Sequence, residues 1–324
     1  MRKKVLVTGG TGFLGSALVR KLVDKDYDVR VLDNDFRGSI NRLADIKNKF
    51  EFVKGDIRNS LTVRKSLSGI DCVVHMACIN GTELFYSIPE IVLDVGIKGT
   101  MHVIDGCVKE NVQDFIFISS SEVYQTPPVV PTSEDVRIVI PDPLNPRYSY
   151  AGVKILGELM AINCGRKYFK RSIVVRPHNV YGPNMGWEHV IPQLVLRAKQ
   201  IMEKELDPKY VIKLPIQGTG KETRAFCYID DFIQGLIQIV KKGKHLEIYN
   251  IGTQEEISIK RLVGELGKYF HRKILVIPGA LAKGGTPRRC PDISKISRLG
   301  YNPEVSLSEG LIKTARWYLE NEKK

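Results

Sequence analysis

The sequence predicts an α/β fold: a doubly wound parallel sheet with helices on both faces, followed by a smaller C-terminal α/β lobe. Three observations predict it. Apolar, β-branched runs alternate with amphipathic stretches through the first half of the chain. Those runs are continuously apolar, as strands buried on both faces are. A glycine-rich turn joins the first apolar run to the first amphipathic stretch, the arrangement that opens a dinucleotide-binding sheet.

In order, the candidate strands are residues 4–8, 28–33, 50–54, 72–76, 114–119 and 172–176. Candidate helices lie between them, including 14–25, 97–110 and 150–168. The proline-rich stretch 126–146 reads as a long surface loop. Beyond Gly182 the pattern loosens to a helix near 191–204, short strands around 211–216, and further elements to Tyr318. The segment 247–251 is a candidate to return to the main sheet. This organisation assigns 1–182 to a cofactor-binding domain and 183–324 mainly to a substrate-binding lobe. There is no internal repeat.

The 324 residues are 43% hydrophobic and 26% charged, enough for a large core. Six cysteines are scattered without a C-x-x-C pair, and Cys72, Cys78 and Cys107 lie in apolar stretches. Reduced core thiols are expected, with no disulfide framework and no metal site. The start Met1-Arg2-Lys3-Lys4 is basic, but the apolar run after it stops at Thr8-Gly9-Gly10. That is too short for a secretory or membrane segment, so a cytoplasmic protein without membrane attachment is expected. The net charge of +13 is dispersed, with no aromatic platform. It suits solubility and a small anionic substrate, not nucleic acid.

Gly9, Gly12 and Gly15 follow the strand in a G-x-x-G-x-x-G spacing. Missing side chains let the backbone, with Phe13 and Leu14 at the helix start, approach a pyrophosphate whose charge the helix N-terminus favours. Asp33 ends the second strand, where a carboxylate can hold the adenosine ribose hydroxyls and repel a 2′-phosphate. NAD is therefore expected over NADP, with Arg37 read as a solvated loop charge. Farther on, Tyr150 and Lys154 stand one helical turn apart. An ammonium there favours the tyrosinate and makes Tyr150 a candidate base.

Together with these features, several motifs are similar to the extended short-chain dehydrogenase/reductase family, specifically its nucleotide-sugar epimerases, dehydratases and decarboxylases. The motifs are Gly55-Asp56-Ile57-Arg58, Val74-His75-Met76-Ala77, Ser119-Ser120-Ser121-Glu122-Val123-Tyr124, Arg176-Pro177-His178-Asn179, Thr223-Arg224-Ala225 and Arg288-Arg289-Cys290-Pro291-Asp292. The resemblance covers nearly the whole chain and implies a Rossmann-type sheet with NAD as cofactor. It implies that Asp56 and Ile57 meet the adenine and that Ala77 lies along the cofactor. Ser120, Tyr150 and Lys154 would be catalytic, with Lys154 also on the nicotinamide ribose. Asn179, Arg224 and Arg289 (or Arg288) would hold the diphosphate of a nucleotide-diphosphate sugar, with Ser121 also toward the substrate. Thr82, just past the fourth strand, reads as a turn residue that can also touch the sugar. Gly96 departs from the family, which often has Asn there.

The resemblance implies transient oxidation at sugar C4. The keto sugar can then epimerise, lose water or lose carbon dioxide. Glu122 is the candidate extra acid or base, against a loop carboxylate bonded to backbone. Ser120-Ser121-Glu122 resembles the Thr-Ser-Glu of GDP-mannose dehydratases and UDP-glucuronate decarboxylases, whereas Ser121 replaces the Asp of dTDP-glucose dehydratases. His178 is expected to be structural, with titration near neutrality as its alternative, and Cys78 a packed thiol. A simple 4-dehydrogenase is the enzymatic rival; a nucleotide-sensing or scaffold protein is the non-catalytic one. Helices 97–110 and 150–168, with Val103, Ile104, Cys107, Ile155, Leu159 and Ile162 as apolar stripes, are expected to form a homodimer.

Overall fold

The computed structural model describes residues 2–207, 209–280 and 284–322. In chain order the elements are β1 (Lys4–Thr8), α1 (Phe13–Asp24), β2 (Asp28–Asp33), β3 (Glu51–Lys54), α2 (Ser60–Leu67), β4 (Cys72–His75), α3 (Thr82–Ser87), α4 (Pro89–Lys109), β5 (Asp114–Ile118), α5 (Tyr148–Tyr168), β6 (Arg171–Pro177), β7 (Val180–Tyr181) and α6 (Val190–Lys204). There follow β8 (Ile212–Pro215), β9 (Thr223–Ala225), β10 (Cys227–Tyr228), α7 (Ile229–Lys242), β11 (Glu247–Ile251), β12 (Glu256–Ser258), α8 (Ile259–Tyr269), β13 (Ile274–Ile277), β14 (Arg288–Arg289), α9 (Ser294–Ser297) and α10 (Leu307–Asn321).

Seven parallel strands form the central sheet in the order β11-β6-β5-β4-β1-β2-β3. The chain runs outward from β1 through β2 to β3, then returns to place β4 on the other side of β1. That reversal opens a crevice at the carboxyl ends of β1 and β4, where ligands of such sheets bind. The strand residues divide by parity, as the pleat requires. Val5, Val7, Cys72, Val74, Ile116 and Ile118 pack with α1 and α7. Leu6, Val73, Phe115 and Phe117 pack on the opposite face with residues of α2, α4 and α5. Full burial of each such side chain contributes about 1.5–3 kcal/mol, which is why the runs carry no polar alternation.

Segment Glu247–Ile251 joins the sheet beside β6, so the sheet draws on both halves of the chain. The smaller lobe contains the β12-β9-β14 sheet and the β8–β13 pair. The register of β14 on β9 sets Arg289 beside Arg224.

Two expectations need correction. The helix expected at 97–110 begins at Pro89, a residue suited to a first helical turn because its missing N–H would have no partner there. Its glycines mark contacts, not an end. A Cβ on Gly96 would lie 2.2 Å from Val153 Cγ1 on α5, so the asparagine common at this position in relatives has no room here. The proposed dimer stripe is also redistributed. Val103, Ile104 and Cys107 are buried in the core of the chain itself, whereas Leu159 of the expected stripe is exposed, as are Leu93 and Met101 of α4 and Leu156 of α5. Among the described residues, no helix is long and apolar enough to cross a membrane.

Candidate active site

A cavity of about 420 Å³ runs along the carboxyl ends of the strands. At one end it is lined by Gly9, Gly12, Phe13, Leu14, Asp33 and Ala77, with Asp56 and Ile57 alongside. The residues present fit a dinucleotide. A Cβ on Gly9 would come 2.8 Å from the Ala77 nitrogen, and one on Gly15 would come 2.1 Å from the Gly9 carbonyl oxygen. Only bare backbone allows this close passage. The first turn of α1 has no side-chain cap, leaving N–H groups for an anion. Asp33 holds the loop, accepting from the backbone N–H of Thr11 at 3.0 Å and of Asp35 at 2.9 Å. Asp56 accepts from Asn34 at 3.0 Å and pairs with Arg58 at 2.8 Å, which holds its carboxyl below the ordinary range. Arg37 is exposed, as a loop charge is, and pairs there with Glu188, 151 residues away.

At the other end lie Thr82, Ser120, Ser121, Glu122, Tyr150 and Lys154, with Asn179 and Arg289 also at the wall. Ser120 caps the short turn Ser121–Tyr124, accepting from the Glu122 N–H at 3.1 Å. Tyr150 and Lys154 project from the same face of α5. Lys154 Nζ donates to the Ile118 carbonyl at 2.8 Å and lies 5.5 Å from the centre of the Tyr150 ring. Phe85 of α3 stacks on that ring, with centroids 4.7 Å apart. Ser120 and Cys78 line the cavity with Tyr150, and both bear on its hydroxyl. Cys78 is packed against the cluster that holds Tyr150, as expected, and also lines the cavity.

The effect of Lys154 on Tyr150 differs from expectation. Burial pushes the phenol well above its ordinary value, Cys78 and Glu122 push the same way, and Ser120 pulls it down. In the protein alone, desolvation outweighs the lysine one turn away, and Tyr150 is held as a neutral phenol.

Glu122 is not a backbone-bonded loop carboxylate. It receives Arg289 Nη1 at 2.6 Å and lies 3.7 Å from Arg147 Nη2. Burial works to raise its carboxyl, but Arg289 and Arg147 prevail and hold it below the ordinary range. Arg224 lies in the same cluster. Burial, then the neighbouring Arg289, lowers it to about 10. Arg288 points elsewhere, to Glu256 at 2.7 Å, so Arg289 is the one that reaches the site. Asn179 donates to the Ala225 carbonyl at 3.4 Å. Sequence reasoning missed Arg147 and Phe85. Arg147, three residues before Tyr150, offered a positional clue; the stacking of Phe85 left none.

His178 is buried, and its Nε2 donates to Asn250 Oδ1 at 3.0 Å. His75 is buried between the hydroxyls of Thr8, at 2.7 Å, and Thr100, at 3.0 Å. Burial lowers each imidazole to about 3, so neither titrates near neutrality in the fold. Unfolding returns both toward 6.5. Between those values the unfolded chain binds more protons, so stability falls as pH drops through that window. The two histidines are expected to contribute uptake of about two protons on unfolding at pH 5. Urea unfolding midpoints measured from pH 7 to pH 5 check this, and an unchanged midpoint would reject it.

The model of the NAD dependent epimerase/dehydratase family matches residues 5–252. The chain belongs to this family. It is an NAD-dependent enzyme of the nucleotide-sugar epimerase/dehydratase class. A dTDP-D-glucose 4,6-dehydratase of Bos taurus is 32% identical over 98% of this chain and 89% of that protein. A UDP-N-acetyl-alpha-D-glucosaminuronate decarboxylase of Bacillus cytotoxicus is 28% identical over 99% of both. The crystal structure of the UDP-glucose 4-epimerase of Thermotoga maritima with UDP-glucose superposes with a TM-score of 0.84, at 26% identity over 99% of this chain and 100% of that one. The family therefore leaves three fates for the sugar among these relatives, and the local chemistry has to choose between them.

Proposed function

We propose that this enzyme 4-epimerises a nucleotide-diphosphate sugar through transient oxidation at C4. The state of Glu122 carries this choice. Dehydration must expel the C6 hydroxyl, which calls for a proton donor beside the base. Position 121 is a serine where dTDP-glucose dehydratases carry an Asp, and Glu122 is held ionised by Arg289 and Arg147, so neither offers that proton in the free protein. The Ser-Glu pair shared with GDP-mannose dehydratases makes loss of water the rival outcome of the product assay below. Epimerisation needs no third titrating group.

On this reading Tyr150 takes the proton from the C4 hydroxyl and Ser120 hydrogen-bonds the same oxygen. NAD, when bound, supplies the hydride acceptor and later the donor. The loop at Gly9, Gly12, Phe13 and Leu14 would hold its pyrophosphate, Asp33 the adenosine ribose and Asp56 and Ile57 the adenine. Ala77 would wall the cofactor, and Lys154 would hold the nicotinamide ribose. Asn179, Arg224 and Arg289 take the substrate diphosphate, since guanidinium forks match phosphate oxygens. Thr82 and Ser121 face the sugar. Residues 1–182 thus carry mainly the cofactor half and 183–324 mainly the substrate half. The exposed apolar faces of α4 and α5 would pair with a second copy, which a dimeric mass in light scattering supports and a monomeric mass rejects.

A second reading, decarboxylation of a nucleotide uronate, is favoured by Arg147. It adds a third guanidinium beside one carboxylate, an excess of positive charge suited to a uronate carboxylate. Mass and NMR analysis of products from a panel of UDP-, dTDP-, GDP- and CDP-sugars separates the readings. Isomerisation without mass change is expected. Loss of water or carbon dioxide overturns epimerisation, and accumulation of NADH with a keto product assigns a dehydrogenase. Binding without conversion leaves a nucleotide-sensing protein.

A further inference from the structure

The turn carrying Ser120 and Glu122 ends at Gln125, whose backbone sits at φ 51° and ψ −110°. A residue with a side chain is strained there. Such a conformation persists when the surroundings hold it, and here they do. Gln125 is buried, and its Nε2 donates to the Glu122 carbonyl at 2.6 Å. Its own carbonyl accepts from the buried hydroxyl of Thr286 at 2.9 Å. That hydroxyl accepts from Arg289 Nη2 at 3.0 Å. Arg289 Nη1 donates to Glu122 Oε1 at 2.6 Å, closing a ring of hydrogen bonds.

The ring engages both terminal nitrogens of Arg289. Among the described residues its Nε remains buried without a partner, although Arg289 lines the cavity. A buried donor left unsatisfied in the protein calls for an acceptor from elsewhere. The Thr286 hydroxyl has one proton; given to Gln125, it leaves the oxygen to accept from Arg289. The carbonyl direction that receives this proton depends on the unusual Gln125 backbone.

We propose that Gln125 and Thr286 are positioning residues that fix the Arg289 guanidinium at the cavity wall to receive the anionic group of the substrate. The inference rests on the nucleotide-sugar reading above. It is tested by titrating NAD-saturated protein with inorganic pyrophosphate and with UDP, dTDP, GDP and CDP in a calorimeter. Thr286→Val keeps the shape and removes the hydroxyl. It should weaken pyrophosphate, and whichever nucleotide binds, about tenfold, the scale of one well-aligned charged hydrogen bond. Thr286→Ser should restore binding to within about twofold. NAD affinity, measured separately, should not change in either variant.

Gln125→Gly relieves the backbone strain while removing the side-chain bond. Its melting temperature should hold or rise while anion affinity falls. Wild-type affinity in Thr286→Val, equal losses in the valine and serine variants, or a Gln125→Gly that loses melting temperature but not affinity would each overturn the proposal. So would failure of pyrophosphate to bind the wild type. Pyrophosphate binding that follows the expected pattern while none of the nucleotides binds would leave the ring standing and sink the nucleotide-sugar reading alone.

Discussion

Tyr150→Phe is expected to lower kcat by about 10²–10⁴-fold, the range for a lost general base, while NAD affinity stays near that of the wild type. The phenyl ring preserves the stack on Phe85 and the volume in the small apolar cluster with Ile79 and Val92. What disappears is the hydroxyl beside Ser120 and Cys78. The change therefore separates proton transfer from packing. Because burial holds the phenol high in the free protein, its proton must leave before it can act as a base. Wild-type kcat/KM should rise with pH through the neutral range, and Tyr150→Phe should lose that limb. His178, lowered to about 3 by burial, cannot supply it. Stopped assays of sugar conversion from pH 6 to 9, with NAD binding followed by calorimetry, make the comparison. Undiminished turnover would remove Tyr150 from the mechanism, and joint loss of turnover and NAD binding would recast it as a structural residue.

The parts of this site that were legible in the sequence are those whose logic is local. The glycine turn lies between one strand and the next helix, and its chemistry is backbone geometry within a few residues. Tyr150 and Lys154 share a helical face because of their spacing alone. The sheet was legible for the same reason, since continuous apolar runs report burial on both faces. The hidden parts depend on partners far along the chain. Arg289 meets Glu122 across 167 positions, and Arg37 meets Glu188 across 151. No spacing announces either pair, so the sequence alone leaves Glu122 open between base and bystander and gives no sign of the partner of Arg37. The Tyr150 phenol shows a different limit. Sequence supplies the neighbouring lysine, but the dominant influence is burial beneath Phe85 and against Cys78, which emerges only when α3 packs on α5.

The same distinction between local pattern and distant partner governs the second large effect, which concerns Glu158. Two helical turns beyond Tyr150 on α5, Glu158 is almost fully buried with Arg176 of β6, each side chain 3% exposed. The pair is bidentate, at 2.8 and 2.6 Å, and the Ser119 hydroxyl donates to the same carboxylate at 2.5 Å. Arg176 also donates to the Tyr124 hydroxyl at 2.7 Å and the Glu134 carbonyl at 3.0 Å. Tyr124 in turn donates to Asn250 at 2.8 Å. Both charges are desolvated, so neither can lose its partner cheaply. Glu158→Gln should destabilise the protein by about 3–5 kcal/mol, because it leaves a buried guanidinium unpaired. That is a large share of the roughly 5–15 kcal/mol by which a folded domain is stable. Replacing both partners, as in Glu158→Leu with Arg176→Met, should recover most of the loss, since an apolar pair carries no desolvation penalty. Urea unfolding of the single and double variants tests this directly. A single variant as stable as the wild type would mean the pair contributes nothing net. The double variant asks a further question of kcat. Ser119 precedes Ser120, and Tyr124 closes the turn that carries Glu122, so a stable but slow double variant would show that this buried network sets the geometry above it as well as the stability below.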